Sequence, residues 1–240
     1  MKREKIVTFG EIMLRLTPPD KLRFNQTDLL RVNFGGSEAN VAVSLANYGL
    51  RSELVTCLPD NRIADACLDD LRSYGVGTDH ILRGGDRLGL YYMEEAVAMR
   101  TSHVVYDRAA SSFDTLRPGQ IDWAELFADA DWFHWSGIAA AVSAETAAVC
   151  AEAVAAARRM GLTVSCDINY RKNLWRYGKR AEEVLPPLME ACDILFGTDD
   201  EYEKVLGIRL PAFTACDASY TPDTAGYEAA AREVMRRFPR

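Results

Sequence analysis

Apolar and polar positions along the chain follow two periods in turn. Short apolar runs at residues 6–9, 12–16 and 54–58 predict buried strands; Gly10 ends the first and Pro18-Pro19 stop the second. Residues 37–48 predict a helix rich in small side chains (Ala39, Ala42, Ala46) and closed by Gly49. Residues 63–74 predict an amphipathic helix closed by Gly75. The rhythm then changes. Residues 88–94 and 104–106 are β-type with no long helix between them, which predicts an antiparallel pair inserted into an α/β chain. After Pro118 the alternation returns, with strands at 132–135, 162–168 and 194–196 and helices at 144–160, 181–191 and 201–206. A last helix is expected over 227–238.

Strand–helix alternation implies an α/β fold with a mostly parallel sheet and helices on both faces. Ligands of such sheets bind beyond the carboxyl ends of the strands. That rule selects Gly10-Glu11, Ser136-Gly137, Asp167 to Asn169, and Gly197-Thr198. The chain stops where another strand is due, so the expectation is one α/β domain over 1–240 that lacks its C-terminal part.

Composition narrows the function classes. Hydrophobic residues are 48% and charged residues 26%, ordinary for a soluble globular protein. A net charge of −7 disfavours nucleic acid or an anionic membrane as partner, and no apolar run is long enough to span a bilayer. The apolar run after the charged start is too short for a signal peptide. Six scattered cysteines without a CxxC pair predict reduced, buried thiols and a cytoplasmic location. The three histidines lack metal-ligand spacing.

Four segments carry candidate chemistry. Gly35-Gly36 before a helix permits close ligand approach, and Asn40 one turn in can bond a polyol; a plain turn with Ser37 as N-cap explains the pattern equally well. In the β insertion, Tyr91 and Tyr92 fall on opposite faces, while Tyr106 and Arg108 share one. Tyrosine packs on a sugar ring and arginine grips a carboxylate, against the alternative of ordinary hairpin packing. Asp167, Asn169 and Arg171 cluster at a strand end, as either site or loop residues. Thr198 to Glu201 open a helix with acids, which suits the helix dipole or a Mg²⁺–phosphate site.

In order, the segments Gly35-Gly36-x-x-x-Asn40, Gly89-Leu90-Tyr91, Tyr106-Asp107-Arg108, Ser136-Gly137-Ile138 and Asp167-Ile168-Asn169-Tyr170-Arg171 resemble the ribokinase-like (PfkB-type) carbohydrate kinases. The pattern looks most like the 2-dehydro-3-deoxygluconate (KDG) kinases. The resemblance implies a ribokinase-like α/β fold with a small β lid from segments at about 11–34 and 86–110. It implies a sugar pocket of Gly35, Gly36, Asn40, Tyr91, Tyr106, Arg108, Ile138, Asn169 and Arg171. Thr198 and Glu201 would face the ATP phosphates, with Glu201 at Mg²⁺. The implied reaction is ATP-dependent phosphorylation of a sugar or sugar acid, by a homodimer joined through its lids. The family's glycine-rich signature and its catalytic aspartate are absent from the sequence, so no catalytic residue is assigned and the isolated chain is expected to be inactive. Two other readings remain: a non-catalytic sugar-binding or dimerising remnant, and a kinase of nucleosides or other ketoses.

Overall fold

A computed structural model describes residues 4–209 and 224–239. In chain order the elements are β1 (Lys5–Phe9), β2 (Met13–Thr17), β3 (Arg31–Gly35), α1 (Ser37–Asn47), β4 (Arg51–Val55), β5 (Cys57–Leu58) and α2 (Arg62–Ser73). They continue with β6 (Leu82–Arg83), β7 (Leu90–Glu94), β8 (His103–Asp107), α3 (Trp123–Phe127), β9 (Trp132–Ser136), α4 (Gly137–Ala141) and α5 (Ala144–Arg159). Then come β10 (Thr163–Asp167), α6 (Ala181–Met189), β11 (Ile194–Phe196), α7 (Asp199–Glu201) and α8 (Thr224–Arg237).

Five strands form a parallel sheet in the order β11-β10-β9-β1-β4. Alternation along each strand sends side chains to opposite faces. One face (Val7, Phe9, Phe133, Trp135, Val164, Cys166) packs with α3 to α6 in the larger core. On the other, Leu54 joins Ala39, Ala42, Ala64, Cys67 and Leu71 from α1 and α2. Helices thus flank both faces, as the alternation predicted. A second sheet has the order β3-β2-β7-β8, antiparallel at its outer pairs and parallel between β2 and β7. The predicted antiparallel pair is β7–β8.

Several boundaries differ from expectation. The single strand expected over 54–58 is broken at Thr56. β1 runs out at Phe9, opposite Val55, so β4 has no partner further on; β5 turns to pair with β6 instead. The helix expected from Glu201 starts at Asp199 and continues as a π-helical turn over Tyr202–Leu206. Gly36, not Ser37, holds the N-cap position of α1, with no side-chain cap bond. β3, β6, α3 and α4 have no counterpart in the apolar pattern. Cys57, Cys67, Cys150, Cys166 and Cys192 are free and buried, as expected; Cys216 lies outside the described residues. Among the described residues no helix is long and apolar enough to cross a membrane.

Candidate functional site

All five strands of the parallel sheet point their carboxyl ends the same way, and chain order reverses between β1 and β9. A crevice opens at such a switch point. Here the backbone leaves β1 at Gly10-Glu11 for the second sheet and returns from β3 through Gly35-Gly36 into α1. Three glycines make this joint possible, each through closeness rather than backbone angle. A Cβ on Gly10 would overlap the Glu38 carboxylate, and one on Gly36 would overlap the Glu11 carbonyl. One on Gly89 would lie 2.5 Å from Glu11 Oε1 and 3.3 Å from Arg108 Cβ.

The space they leave holds two buried glutamates. Glu38 accepts a hydrogen bond from the Ser136 hydroxyl, which also caps α4 by accepting from Ile138 N at 3.2 Å. Burial pushes the Glu38 carboxyl up to about 7, against the opposing pull of the Ser136 bond. Glu11 forms an ion pair with Arg108 Nη2, both side chains being almost wholly out of solvent. Glu11 Oε1 and Arg108 Nε have no further partner.

The second sheet presents one face to this joint. Its register places Asn33, Arg15, Tyr91 and Tyr106 on a single rung across all four strands. The Tyr91 and Tyr106 rings lie 5.9 Å apart. Gly35 sits on the same face, one rung nearer the joint: a Cβ there would meet the Tyr91 hydroxyl at 3.5 Å and Asn40 Oδ1 at 3.6 Å. A bare backbone, an amide and a phenol therefore converge on one spot. A cavity of about 440 Å³ continues from it, lined by Gly35, Asn40, Asn33, Arg15, Asp70 and Tyr74 among others.

The ends of β10 and β11 form a second cluster. Glu201 bridges them, its Oε1 accepting from Tyr170 N and its Oε2 from Thr198 N, each at 2.8 Å. Arg171 stands 3.7 Å from Glu201. Burial, and then the charge of Glu201, raises the Asp167 carboxyl above its ordinary range. Asn169 takes a left-handed backbone (φ 41°) and donates to Ser37 Oγ at 2.9 Å, tying this cluster to the start of α1. Asp167, Asn169, Arg171, Thr198 and Glu201 line a cavity of about 780 Å³.

The expected residues thus fall in three adjoining places. Gly35, Asn40 and Tyr91 meet directly, and Tyr106 reaches them through Tyr91. Tyr106 and Arg108 also border a cavity of about 420 Å³ beside Asn173 and Arg176. Asn169, Arg171, Thr198 and Glu201 line the sheet-end cavity. Gly36 and Ile138 act through backbone at the joint. Neither arginine is bare: Arg108 is paired with Glu11, and Arg171 donates to the Tyr170 carbonyl at 3.1 Å. Sequence reasoning missed Glu38 and Arg15. An acid in a helix start flanked by Ala39 and Ala42 is a usable signal for the first. Arg15 becomes visible only once strand register is known.

The sequence matches the description "pfkB family carbohydrate kinase" over residues 3–234. It is 33% identical, over 84% of this chain and 63% of the relative, to the 2-dehydro-3-deoxygalactonokinase of Haloferax volcanii. It is 27% identical, over 85% and 63%, to the 2-dehydro-3-deoxygluconokinase of Bacillus subtilis. The chain therefore spans less than two thirds of the length of these two curated relatives. The crystal structure of the Thermotoga maritima 2-dehydro-3-deoxygluconokinase superposes with a TM-score of 0.90 at 43% identity, covering 98% of this chain and 69% of that one. With the family pattern matched almost end to end and the fold superposed, the chain belongs to the pfkB family of carbohydrate kinases.

Proposed function

We propose that this chain supplies the sugar-acid site of an ATP-dependent kinase acting on 2-dehydro-3-deoxygluconate or a close 3-deoxy sugar acid. The observation that carries the reading is the convergence of Asn40, Tyr91 and the bare Gly35 backbone on the face that also bears Arg108. Hydroxyls of a sugar suit the amide and the phenol, and a carboxylate suits a guanidinium. The relatives named above support the acid, since both are named for kinases of 3-deoxy sugar acids.

Phosphoryl transfer depends mainly on positioning and charge neutralisation. In this reading Gly35, Asn40 and Tyr91 orient the sugar, and Tyr106 with the second sheet shields it from water. Thr198 and Glu201 face the nucleotide phosphates. Asp167 and Glu201 would hold Mg²⁺, and the pair fits: two neighbouring carboxylates, one with its pKa raised partly by the other, are relieved by a divalent cation. The cation would neutralise phosphate charge.

Calorimetric titration of the full chain tests the sugar site. The dissociation constant for KDG is expected to be at least about tenfold below that for a neutral ketose, the scale of one charge-assisted hydrogen bond. Equal affinities would remove the sugar-acid reading, and binding of neither would remove the sugar site.

We also infer a homodimer formed through the second sheets. Opposite the ligand face, the register places Val32, Leu16, Tyr92 and Val105 on one apolar rung. Val32 is 58% and Val105 46% exposed. A contiguous apolar row in water favours association. Sedimentation velocity should show a dimer that Val32→Lys with Val105→Lys converts to monomer. A monomeric wild type would contradict this assignment.

A further inference from the structure

We propose that Glu11 sets the charge selectivity of the sugar pocket, holding Arg108 in place and competing with a ligand carboxylate for it. The inference rests on the sugar-acid reading and adds to it a positioning residue that acts through Arg108 rather than on the sugar.

Glu11 lies in the strap that carries the chain from β1 into β2, and Arg108 directly follows β8. Their pair therefore ties the parallel sheet to the far strand of the second sheet. Glu11 occupies space that two glycines leave open. Its carbonyl occupies the place of a Gly36 side chain, and its Oε1 lies 2.5 Å from where a Gly89 Cβ would be. Its side chain is buried, and the bond to Arg108 holds the carboxylate beside the guanidinium when a ligand arrives.

The pair is also incomplete. A guanidinium carries five N–H donors in a fixed fork, and an ionised carboxylate accepts on both oxygens. Only Nη2 to Oε2 is made, while Arg108 Nε and Glu11 Oε1 are buried without partners. Arg108 thus keeps hydrogen-bonding capacity toward a ligand, but its charge is already balanced. An incoming carboxylate meets a guanidinium with an acid fixed beside it, which weakens the attraction for an anion and leaves that for a hydroxyl largely unchanged. Glu11 in this way moderates the preference for acids that Arg108 creates.

The assignment separates from a simple structural latch. Loss of a latch weakens every ligand alike. Loss of the Glu11 charge strengthens an anion relative to a neutral ligand of the same shape. The full chain would be titrated with KDG and with its neutral amide, in the wild type, Glu11→Gln, Glu11→Asp and Arg108→Gln. The reading is the ratio of amide to acid dissociation constants. Glu11→Gln is expected to raise it about tenfold. Glu11→Asp, whose carboxylate is drawn back by one methylene, is expected to raise it about threefold and carries the test if Glu11→Gln does not fold. Arg108→Gln should bring the ratio below one, because the Glu11 carboxylate is then left unbalanced beside the ligand. A ratio unchanged or lowered in the Glu11 variants, with both affinities falling together, overturns the role of Glu11 alone. A wild type without preference for the acid overturns the functional reading instead.

Discussion

Gly36→Ala is expected to lower the melting temperature by roughly 6–12 °C and to abolish sugar binding, while Gly35→Ala weakens binding with little change in stability. The two positions are neighbours and their contrast is steric. Gly36 has φ −166°, an extended angle open to any residue, so backbone freedom is not at stake. Its Cβ would overlap the Glu11 carbonyl, a backbone atom that cannot rotate aside. To yield, the strap between the sheets must shift, and the buried Glu11–Arg108 pair shifts with it. Overpacking costs about 1–3 kcal/mol where side chains absorb it, and a backbone clash belongs at or above the top of that range. In a chain of this size about 3 kcal/mol corresponds to the stated fall. At Gly35 a Cβ meets only the Tyr91 hydroxyl at 3.5 Å and Asn40 Oδ1 at 3.6 Å, which is ordinary contact. It fills the spot where the ligand is proposed to sit, and little else. Thermal unfolding together with KDG titration of both variants separates the effects. A Gly36→Ala chain as stable as wild type would show that the strap is slack and the joint is not a locked one.

What could be read from the chain, and what could not, divides at this joint. The periods of Val7, Phe9, Phe133 and Trp135 are local, so they marked the strands, and the parallel-sheet rule then led to Gly10-Glu11, Ser136-Gly137 and Asp167 to Asn169. Alternation likewise separated Tyr91 from Tyr92. None of this shows which residues meet across the chain. Glu11 and Arg108 are 97 positions apart, and Glu38 and Ser136 are 98. Their pairing depends on register and on how two sheets abut, which one strand's pattern does not encode. The same gap explains Arg108 as read from sequence, an unencumbered cation, against Arg108 as folded, half of a buried pair. The break at Thr56 is of this kind too: residues 54–58 form one apolar run, and only the end of β1 at Phe9 divides them.

Stability of the wild type should be nearly flat between pH 4.5 and 6.5, and become steep with opposite signs in two variants. The cause is a pair of buried groups that titrate the wrong way. Burial raises Glu38 from 4.5 to about 7 and lowers His134 from 6.5 to about 4. For Glu38 the folded chain holds a proton that the unfolded chain has released, so its contribution is full below pH 4.5 and lost as pH rises through 7. For His134 the unfolded chain takes the proton, so its contribution is full above pH 6.5 and lost as pH falls through 4. Each swing is about 3 kcal/mol, and over the shared window they cancel. Asp167, also raised by burial and by Glu201, adds to the Glu38 direction, so what slope the wild type keeps is a decline with rising pH. Glu38→Gln should therefore leave a stability that climbs from pH 4 to 6.5, and His134→Gln one that declines from pH 4.5 to 7. Urea denaturation at a series of pH values reads both slopes; parallel curves for wild type and Glu38→Gln would mean that Glu38 titrates alike in the folded and unfolded chains. The position of Glu38 then links stability to binding. It lies against Gly10 and Ser136, within electrostatic reach of Arg108. Above pH 7 its ionisation places a second negative charge at the joint where Glu11 already balances the guanidinium. Sugar-acid affinity should fall as pH rises through 7, while affinity for the neutral amide holds, and Glu38→Gln should remove that difference.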